Sequence, residues 1–169
     1  MSFEMIKKKP AGKKKNTEPI YAAGTEPLHV AKESAYSYFS GQSKGNDNFE
    51  LLKIARQGLS YEDFLKIMEF SGFSVKEWAI YVQLNERTLQ RYKAENLPFE
   101  QIYSERILGI ARLLQKGATL FGDMVVFGKW LSTENVALGK ITPKQLLDST
   151  FGISILEDEL TKIEHGVFA

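Results

Sequence analysis

Apolar residues at helical spacing, closed by capping residues and glycines, constrain this chain more than any other feature of its sequence. Near the C-terminal end, Ile153, Leu156, Leu160 and Ile163 step by three or four positions. That spacing predicts an amphipathic helix, because residues three and four apart lie on one helical face. Gly166 follows at once, where a left-handed residue can end a helix. Similar segments begin near residue 47, so the sequence predicts an all-α fold.

Two further helical segments are predicted just before that helix. Apolar residues at helical spacing indicate one helix over about residues 118–131. Thr142 and Pro143 indicate another helix start, since threonine can cap, proline fits a first turn, and Gln145 can close a capping box. The apolar positions of the first segment are Leu120, Phe121, Met124, Val125 and Leu131.

A pair of short helices is predicted between residues 74 and 93. Ser74 and Glu77 have the spacing of a capping box, and Asn85 is a suitable N-cap for the second helix. A short helix, a tight turn and a second helix form a helix-turn-helix. The inward positions are Val75, Trp78, Ala79 and Val82 on the first helix, and Leu89 and Tyr92 on the second.

The outward face of the second helix carries side chains that can read DNA. Arginine pairs with guanine in the major groove and glutamine pairs with adenine, while threonine or lysine can hold phosphates. The same spacing also fits a merely solvated helix face, and both interpretations stay open on spacing alone. The candidate DNA-binding residues are Arg87, Thr88, Gln90, Arg91 and Lys93.

Three more helices complete the predicted order. Asp47 opens a short helix that ends at Gly58. Ser60 opens the next, which stops near Gly72. A longer helix covers about residues 99–115 and ends before Gly117. The apolar faces are Phe49, Leu52 and Ala55 in the first, Tyr61, Phe64, Leu65 and Met68 in the second, and Ile107, Ile110, Ala111 and Leu114 in the third, widened by Ile102, Leu108 and Leu113.

So wide an apolar arc on the long helix indicates either packing on two sides or a dimer interface. We favour a homodimer, because a two-fold axis would place two recognition helices on a palindromic site.

Charge is distributed unevenly along the chain. Residues 1–16 carry six lysines against one glutamate, whereas residues 117–169 carry four lysines against seven acids. A basic front and an acidic rear indicate two different partner surfaces. The lysine-rich front is expected to be a mobile arm, either an inert tail or a loose contact with DNA phosphate. We therefore expect an arm and linker over residues 1–45, a helix-turn-helix and dimerisation domain over 46–116, and a C-terminal domain over 117–169.

Composition argues against several other classes of protein. The chain has no cysteine, which excludes disulfides and thiolate metal sites and fits a reducing cytoplasm. No apolar run is long enough for a transmembrane helix. Its two histidines, His29 and His165, lie far apart without metal-ligand spacing, and no glycine-rich nucleotide loop is present. We expect neither an enzyme nor a bound cofactor or metal.

Fixed-order elements in residues 121–167 resemble the C-terminal toxin-binding domain of the Xre/MbcA/ParS antitoxins. Those elements are Phe121-Gly122-Asp123, Trp130-Leu131, Ala137-Leu138-Gly139, Thr142-Pro143, Leu146-Leu147, Thr150, Gly152 and Ile163-Glu164-His165-Gly166-Val167. The helix pair is similar to the Xre-type helix-turn-helix through Trp78-Ala79, Val82, Leu84 and Thr88-Leu89-x-Arg91. One departure is the turn, where Gln83-Leu84 stands in place of the Leu-Gly-Ile often found in that pattern.

The resemblance implies an antitoxin that neutralises a RES-domain toxin, a class of protein that destroys cellular NAD. It also implies binding to operator DNA to autoregulate the operon. We expect the C-terminal tail to enter the toxin's NAD cleft, with Phe168 in an apolar pocket and the terminal carboxylate against a cationic group. Trp130 is either a second anchor or a core residue. The expected toxin-binding residues are Trp130, Lys162, His165, Gly166, Val167, Phe168 and Ala169.

A second reading keeps only the DNA-binding half of this assignment. The chain would then be a stand-alone helix-turn-helix transcriptional regulator, whose C-terminal domain serves another partner or signal.

Overall fold

The structure of the protein is a computed structural model that describes residues 47–166. Over this range the chain forms seven α-helices, two 3₁₀ segments and one isolated antiparallel bridge between Asn135 and Ile141. The predicted all-α fold is confirmed. The α-helices are α1 Asp47–Gln57, α2 Tyr61–Ser71, α3 Val75–Val82, α4 Glu86–Glu95, α5 Gln101–Phe121, α6 Met124–Ser132 and α7 Thr150–Glu164, and the 3₁₀ segments span Val136–Leu138 and Pro143–Asp148.

The predicted N-terminal caps are present at the starts of several helices. The Ser60 hydroxyl accepts a hydrogen bond from the Asp63 amide at the start of α2 (3.0 Å). Ser74 and Glu77 form the predicted capping box at α3, with the Ser74 amide donating to Oε2 of Glu77 at 2.8 Å. Asn85 caps α4, which spans Glu86–Glu95. These local predictions hold because each involves groups only three residues apart.

The helix start predicted at Thr142 differs in detail. Pro143 does occupy the first turn, but the Thr142 side chain makes no capping hydrogen bond, so no capping box forms there. The segment over Pro143–Asp148 is a 3₁₀ helix, and the following α-helix begins only at Thr150 with Ser149 as its cap. The Ser149 hydroxyl accepts a hydrogen bond from the Gly152 amide at 3.0 Å.

Helix α5 is the central element, and it packs against α1, α2, α3, α6 and α7. Its wide apolar arc is buried by these neighbours within a single chain, which removes the arc as an argument for a dimer. Only Ile102, near the start of the helix, departs from the prediction, being 66% exposed. The buried members of the arc are Ile107, Leu108, Ile110, Ala111, Leu113 and Leu114.

The end of α5 corrects two sequence predictions. The helix continues through Gly117 to Phe121, and the single helix predicted over 118–131 is instead divided between α5 and α6. Gly122 ends α5 with φ of +94°, and the Asp123 carboxylate caps α6 by accepting a hydrogen bond from the Val126 amide at 2.7 Å. The predicted domain boundary at residues 116/117 therefore lies inside a continuous helix.

Gly117 is present for close packing and not to end a helix. A Cβ atom built at this position would lie 2.2 Å from Cζ of Phe127, whose ring is fully buried. The absence of a side chain thus allows α6 to pack directly on the backbone of α5. This contact joins residues on two different helices, so the spacing of apolar residues within either helix does not reveal it.

Besides Ile102, three apolar residues predicted to face inward are exposed. Phe49 is 64% exposed on α1, whose buried residues are Leu51 and Ala55. Val75 and Val125 are 39% and 69% exposed. In these short helices several apolar residues compete for one narrow inward face, and the packing of α5 selects which of them are buried.

An aromatic cluster holds α2, α3 and α4 together. Phe64 lies edge-on to Trp78 at 5.3 Å between ring centroids, and Tyr92 of α4 stacks on Phe99 at 4.5 Å. Buried Ser104 links this cluster to the backbone, accepting from the Leu59 amide (2.9 Å) and donating to the Phe99 carbonyl (3.0 Å). The orientation of α4 is therefore set by a packed core.

Replacing Gly117 by alanine is expected to lower the free energy of unfolding by about 1–3 kcal/mol, because the added methyl group overlaps the Phe127 ring. Gly109, on the same helix, has nothing within 4 Å of its Cβ position. Its replacement by alanine is expected to raise stability by up to about 1 kcal/mol through helix propensity. Urea unfolding of the two variants checks both signs, and equal effects would contradict the packing role of Gly117.

Candidate functional site

Helix α4 presents the predicted DNA-binding residues on its outer face. Leu89 and Tyr92 are buried and fix the helix to the core, as predicted. The opposite face is exposed to solvent. The exposed residues there are Arg87, Gln90, Arg91 and Lys93.

Thr88 differs from the other predicted DNA-binding residues. It is half-buried, and its hydroxyl donates to Oδ1 of Asn85 at 2.9 Å. The Thr88 amide also donates to that oxygen, at 2.7 Å. Thr88 therefore completes the cap of α4, and the structure leaves four of the five predicted side chains exposed on one face.

The turn between α3 and α4 has the shape that glycine usually provides. Gln83 adopts a left-handed conformation with φ of 58° and ψ of 39° and forms the C-cap of α3. Its side-chain amide donates a hydrogen bond to the backbone carbonyl of Asp148, at 3.2 Å. The sequence shows the missing glycine but not this contact, which joins residues 65 positions apart.

The segment Pro143–Asp148 contacts α3 at several points. The Lys144 ammonium pairs with the Glu77 carboxylate and lies 4.5 Å from the centroid of the Phe73 ring. Arg106 of α5 donates to the carbonyls of Asp148 (2.9 Å) and Tyr81 (3.3 Å). The helix-turn-helix is thus bonded to the C-terminal region at both ends of α3.

The ion pair at Glu77 changes its acidity. Burial by itself raises the pKa of Glu77, but the hydrogen bonds from Lys144 and Ser74, together with the Lys144 charge, lower it to about 2. Burial also raises the pKa of the nearby Tyr81 phenol, and the Glu77 and Asp148 carboxylates raise it further. At neutral pH Glu77 is therefore a carboxylate and Tyr81 a neutral phenol.

Helix α7 is held on α5 by polar contacts as well as by its apolar face. Ile153, Leu156 and Leu160 are buried, which confirms the predicted stripe. The Arg112 guanidinium pairs with Glu157, and Lys116 donates to the Thr161 hydroxyl at 2.7 Å. These bonds fix the rotation of α7 and therefore decide which of its residues face solvent.

The predicted toxin-binding residues fall into three groups. Trp130 is half-buried on α6 and stacks on Phe127 at 5.5 Å, so it contributes to the core while part of its ring remains exposed. Lys162, His165 and Gly166 lie together at the exposed C-terminal end of α7, where Lys162 pairs with Glu159 at 3.2 Å. Gly166 has the predicted left-handed backbone, with φ of +68°. The third group, Val167–Ala169, and the lysine-rich arm over residues 1–45 lie outside the described residues.

An exposed apolar pair on α7 was missed by the sequence analysis. Phe151 is 85% exposed and Ile155 is 47% exposed, and they stand one helical turn apart. We name this pair the α7 apolar patch. The sequence does contain a sign of this patch. Phe151 and Ile155 are apolar and four positions apart, but they lie on a different face of the helix from the buried stripe that begins at Ile153.

Residues 47–166 show neither a metal-binding cluster nor a membrane-spanning helix. This part of the chain contains no group of three or more histidine, cysteine, aspartate or glutamate residues that could hold a metal ion. Within the same range, none of the helices combines the length and apolar character required to cross a bilayer.

Comparison with known proteins assigns both parts of this chain to known families of domains. Residues 50–112 match the family model of the antitoxin Xre-like helix-turn-helix domain, and residues 116–166 match that of the antitoxin Xre/MbcA/ParS C-terminal toxin-binding domain. The fold thus defines a helix-turn-helix protein with an attached helical domain for binding a protein. The chain belongs to the Xre/MbcA/ParS antitoxins. It is an antitoxin of a toxin–antitoxin system.

Three relatives show the same assignment. The Prs ADP-ribosylating antitoxin of Sphingobium sp. (strain YBL2) is 26% identical over 125 residues, which cover 69% of this chain and 79% of the relative. Antitoxin Xre of Yersinia enterocolitica is 33% identical over 84 residues, which cover 49% of this chain and 57% of the relative. Antitoxin Xre of Photorhabdus laumondii is 26% identical over 115 residues, which cover 68% of this chain and 78% of the relative.

Replacing Glu77 by glutamine is expected to weaken the dependence of stability on acid pH. Because the folded pKa of about 2 lies below the ordinary value of 4.5, the carboxylate stabilises the fold above about pH 4.5, and this contribution is lost as the pH falls toward 2. Urea unfolding across this range should show a shallower acid loss in Glu77→Gln than in the unsubstituted chain. Glu62, exposed in the first turn of α2, is the matched control. An identical loss in the Glu77 variant and the unsubstituted chain would contradict the ion pair.

Proposed function

We propose that this antitoxin neutralises a RES-domain toxin through the outer face of α7 and the residues that follow it, and that it represses its own operon through α4. The observation that carries the proposal is the α7 apolar patch. Phe151 is 85% exposed, and it lies in the region that matches a toxin-binding domain. A phenylalanine this exposed on a described helix is well suited to pack on another protein.

The surroundings of the patch have the composition of a protein interface. Asp158 and Lys162 are exposed farther along the same helix, and His165 follows at its end. An apolar centre flanked by polar residues is the usual arrangement in a protein–protein contact. Aromatic side chains also carry a large share of binding free energy when a partner buries them. The face therefore supports binding to a protein, with Phe151 as its main anchor.

The residues after α7 supply the proposed inhibitory step. Val167–Ala169 follow Gly166 directly in the sequence and would enter the toxin's NAD cleft, with Phe168 in an apolar pocket. Trp130, part of whose ring is exposed, is the second proposed anchor. Occupation of the cleft would exclude NAD and stop its degradation without any chemistry by the antitoxin.

The relative from Sphingobium supports a toxin that handles NAD. Its name refers to ADP-ribosylation of Prs. ADP-ribose transfer uses NAD as the donor, so NAD hydrolysis and ADP-ribosylation both require a cleft for this dinucleotide. Measuring NAD loss alongside labelled ADP-ribose transfer separates the two activities for the toxin of this chain.

The proposed repression depends on the exposed face of α4. Arg87, Gln90 and Arg91 lie three and four positions apart and can reach base edges from one side of the helix. Lys93 is placed to contact phosphate. A homodimer would place two such helices one turn of DNA apart, about 34 Å, on a palindromic operator. Because the arc of α5 is buried within the chain, that dimer would use another surface.

Replacing Arg87 and Arg91 together by alanine is expected to weaken operator binding by at least about 10-fold, since a base contact is worth about 1–3 kcal/mol. Arg56, exposed in the last turn of α1, gives a matched control outside the proposed interface. Fluorescence anisotropy with duplex DNA from upstream of the gene measures both. Unchanged affinity in the double variant would contradict the role of α4, and toxin neutralisation should persist in it.

Replacing Phe151 by serine is expected to weaken toxin binding by about 2 kcal/mol or more, because it removes the central aromatic of the patch. Phe49, 64% exposed on α1, is the matched control. Both variants should keep the melting temperature, since both rings are exposed. Titration calorimetry with the toxin compares them. Equal affinities for the two variants would contradict the α7 surface, and an absence of toxin binding beside normal operator binding would indicate a stand-alone transcriptional regulator.

A further inference from the structure

We propose that the toxin-binding surface continues from the α7 apolar patch onto the helix-turn-helix region, through Ile102 of α5 and Ile80 of α3. Both isoleucines lie within residues 50–112, outside the region that matches the toxin-binding domain. The inference rests on the proposed function, because it assigns further contacts for the same toxin. It differs from that proposal in giving the helix-turn-helix region a part in binding a protein.

The two isoleucines are exposed on helices whose other sides lie in the core. Ile102 is 66% exposed and Ile80 is 55% exposed, whereas Trp78 of α3 and Ile107 of α5 are completely buried. A single exposed aliphatic side chain is ordinary on a protein surface, but a group of them beside a known binding region indicates a partner. The question is therefore whether these side chains adjoin Phe151.

Ile102 is connected to the start of α7 through Arg106. The two residues are four positions apart on α5 and therefore share one face of that helix. The Arg106 guanidinium donates a hydrogen bond to the Asp148 carbonyl at 2.9 Å, and Phe151 follows Asp148 by three residues. Arg106 thus bridges the exposed isoleucine of α5 and the exposed phenylalanine of α7.

Ile80 reaches the same point from α3. It directly precedes Tyr81, whose carbonyl also accepts a hydrogen bond from Arg106, at 3.3 Å. Gln83, one turn after Ile80, donates to the Asp148 carbonyl at 3.2 Å. The exposed apolar residues of three helices therefore surround one polar centre, and we name Ile80, Ile102 and the α7 apolar patch together the three-helix surface.

The polar centre of this surface is suited to burial by a partner. The Asp148 carbonyl already accepts two hydrogen bonds, so covering it leaves no acceptor unpaired. Among residues 48–166, no carboxylate pairs with Arg106, and its guanidinium has further N–H groups that can donate to the partner. Arginine beside apolar residues is a common feature of interface centres. We therefore expect the toxin to present an apolar surface with an acceptor opposite Arg106.

The size of a stable interface also favours this extension. A specific protein complex buries about 800 Å² on each partner, which two side chains one helical turn apart cannot supply. The three-helix surface adds exposed apolar area directly beside Phe151. Its occupant is the toxin because the surface is continuous with the region that matches a toxin-binding domain.

The first test measures the affinity of full-length variants for a catalytically inactive RES-domain toxin by titration calorimetry. Ile80→Ser and Ile102→Ser are each expected to weaken binding by about 5-fold or more, because each removes apolar contact area from the interface. Their melting temperatures should not change, since both side chains are exposed and serine and isoleucine have similar helix propensities.

Val75→Ser is the matched control. Val75 is 39% exposed in the first turn of α3, at the opposite end of that helix from Gln83. Its replacement removes an exposed β-branched side chain from the same helix but not from the three-helix surface. The toxin affinity of this variant should equal that of the unsubstituted chain.

The second test detects contact directly. With the photo-reactive residue p-benzoylphenylalanine in place of Ile102, irradiation of the complex should join this chain covalently to the toxin. An adduct formed only with a second copy of this chain would overturn the inference, because the surface would then belong to a dimer.

The inference and the proposed function fail in different ways. If Phe151→Ser weakens toxin binding while both isoleucine variants bind as tightly as Val75→Ser, the toxin contacts α7 alone and only the extension is wrong. If Phe151→Ser also binds normally, the proposed α7 surface is wrong, and the extension fails with it.

Discussion

The burial of α5 on several sides is the constraint on which the other elements depend. Its apolar arc packs against helices from both family-matched regions, and the chain passes from residue 112 to residue 116, between those regions, without leaving the helix. A shared helix of this kind cannot bend freely between two domains. Helices α4 and α7 are consequently held on one continuous helix.

A second set of contacts crosses the same boundary on the surface. The segment over Pro143–Asp148 is bonded to α3 through the Lys144–Glu77 ion pair and through the hydrogen bond from Gln83. Arg106 of α5 holds the same segment by a hydrogen bond to the Asp148 carbonyl. A partly shielded ion pair with a neighbouring aromatic ring is less screened by water than a fully exposed pair. Burial there raises the pKa of Glu77, but the hydrogen bonds from Lys144 and Ser74 and the Lys144 charge outweigh it and keep that pKa low. Rigid packing and polar bonds thus join the two regions independently.

The two faces of α7 serve different purposes because its rotation is fixed. Leu156 and Leu160 are completely buried, and Arg112 and Lys116 hold the helix from the side. With these contacts in place, Phe151 can only point outward. The ring is therefore available for a partner, and it is the most exposed of the large apolar side chains in residues 48–166, which is why it carries the proposed site.

Sequence alone determined the helical class, the capping box of Ser74 and Glu77, the helix-turn-helix and the exposed basic face of α4, because each depends on groups within a few residues of one another. Only the tertiary structure decided that Gly117 lies within a helix, that Phe49 faces solvent, and that α5 and α6 are separate. It also decided that Phe151 is exposed and that Gln83 reaches Asp148. Those outcomes depend on contacts between different elements, such as Phe127 of α6 against Gly117 of α5, and the spacing of apolar residues within one helix does not encode them.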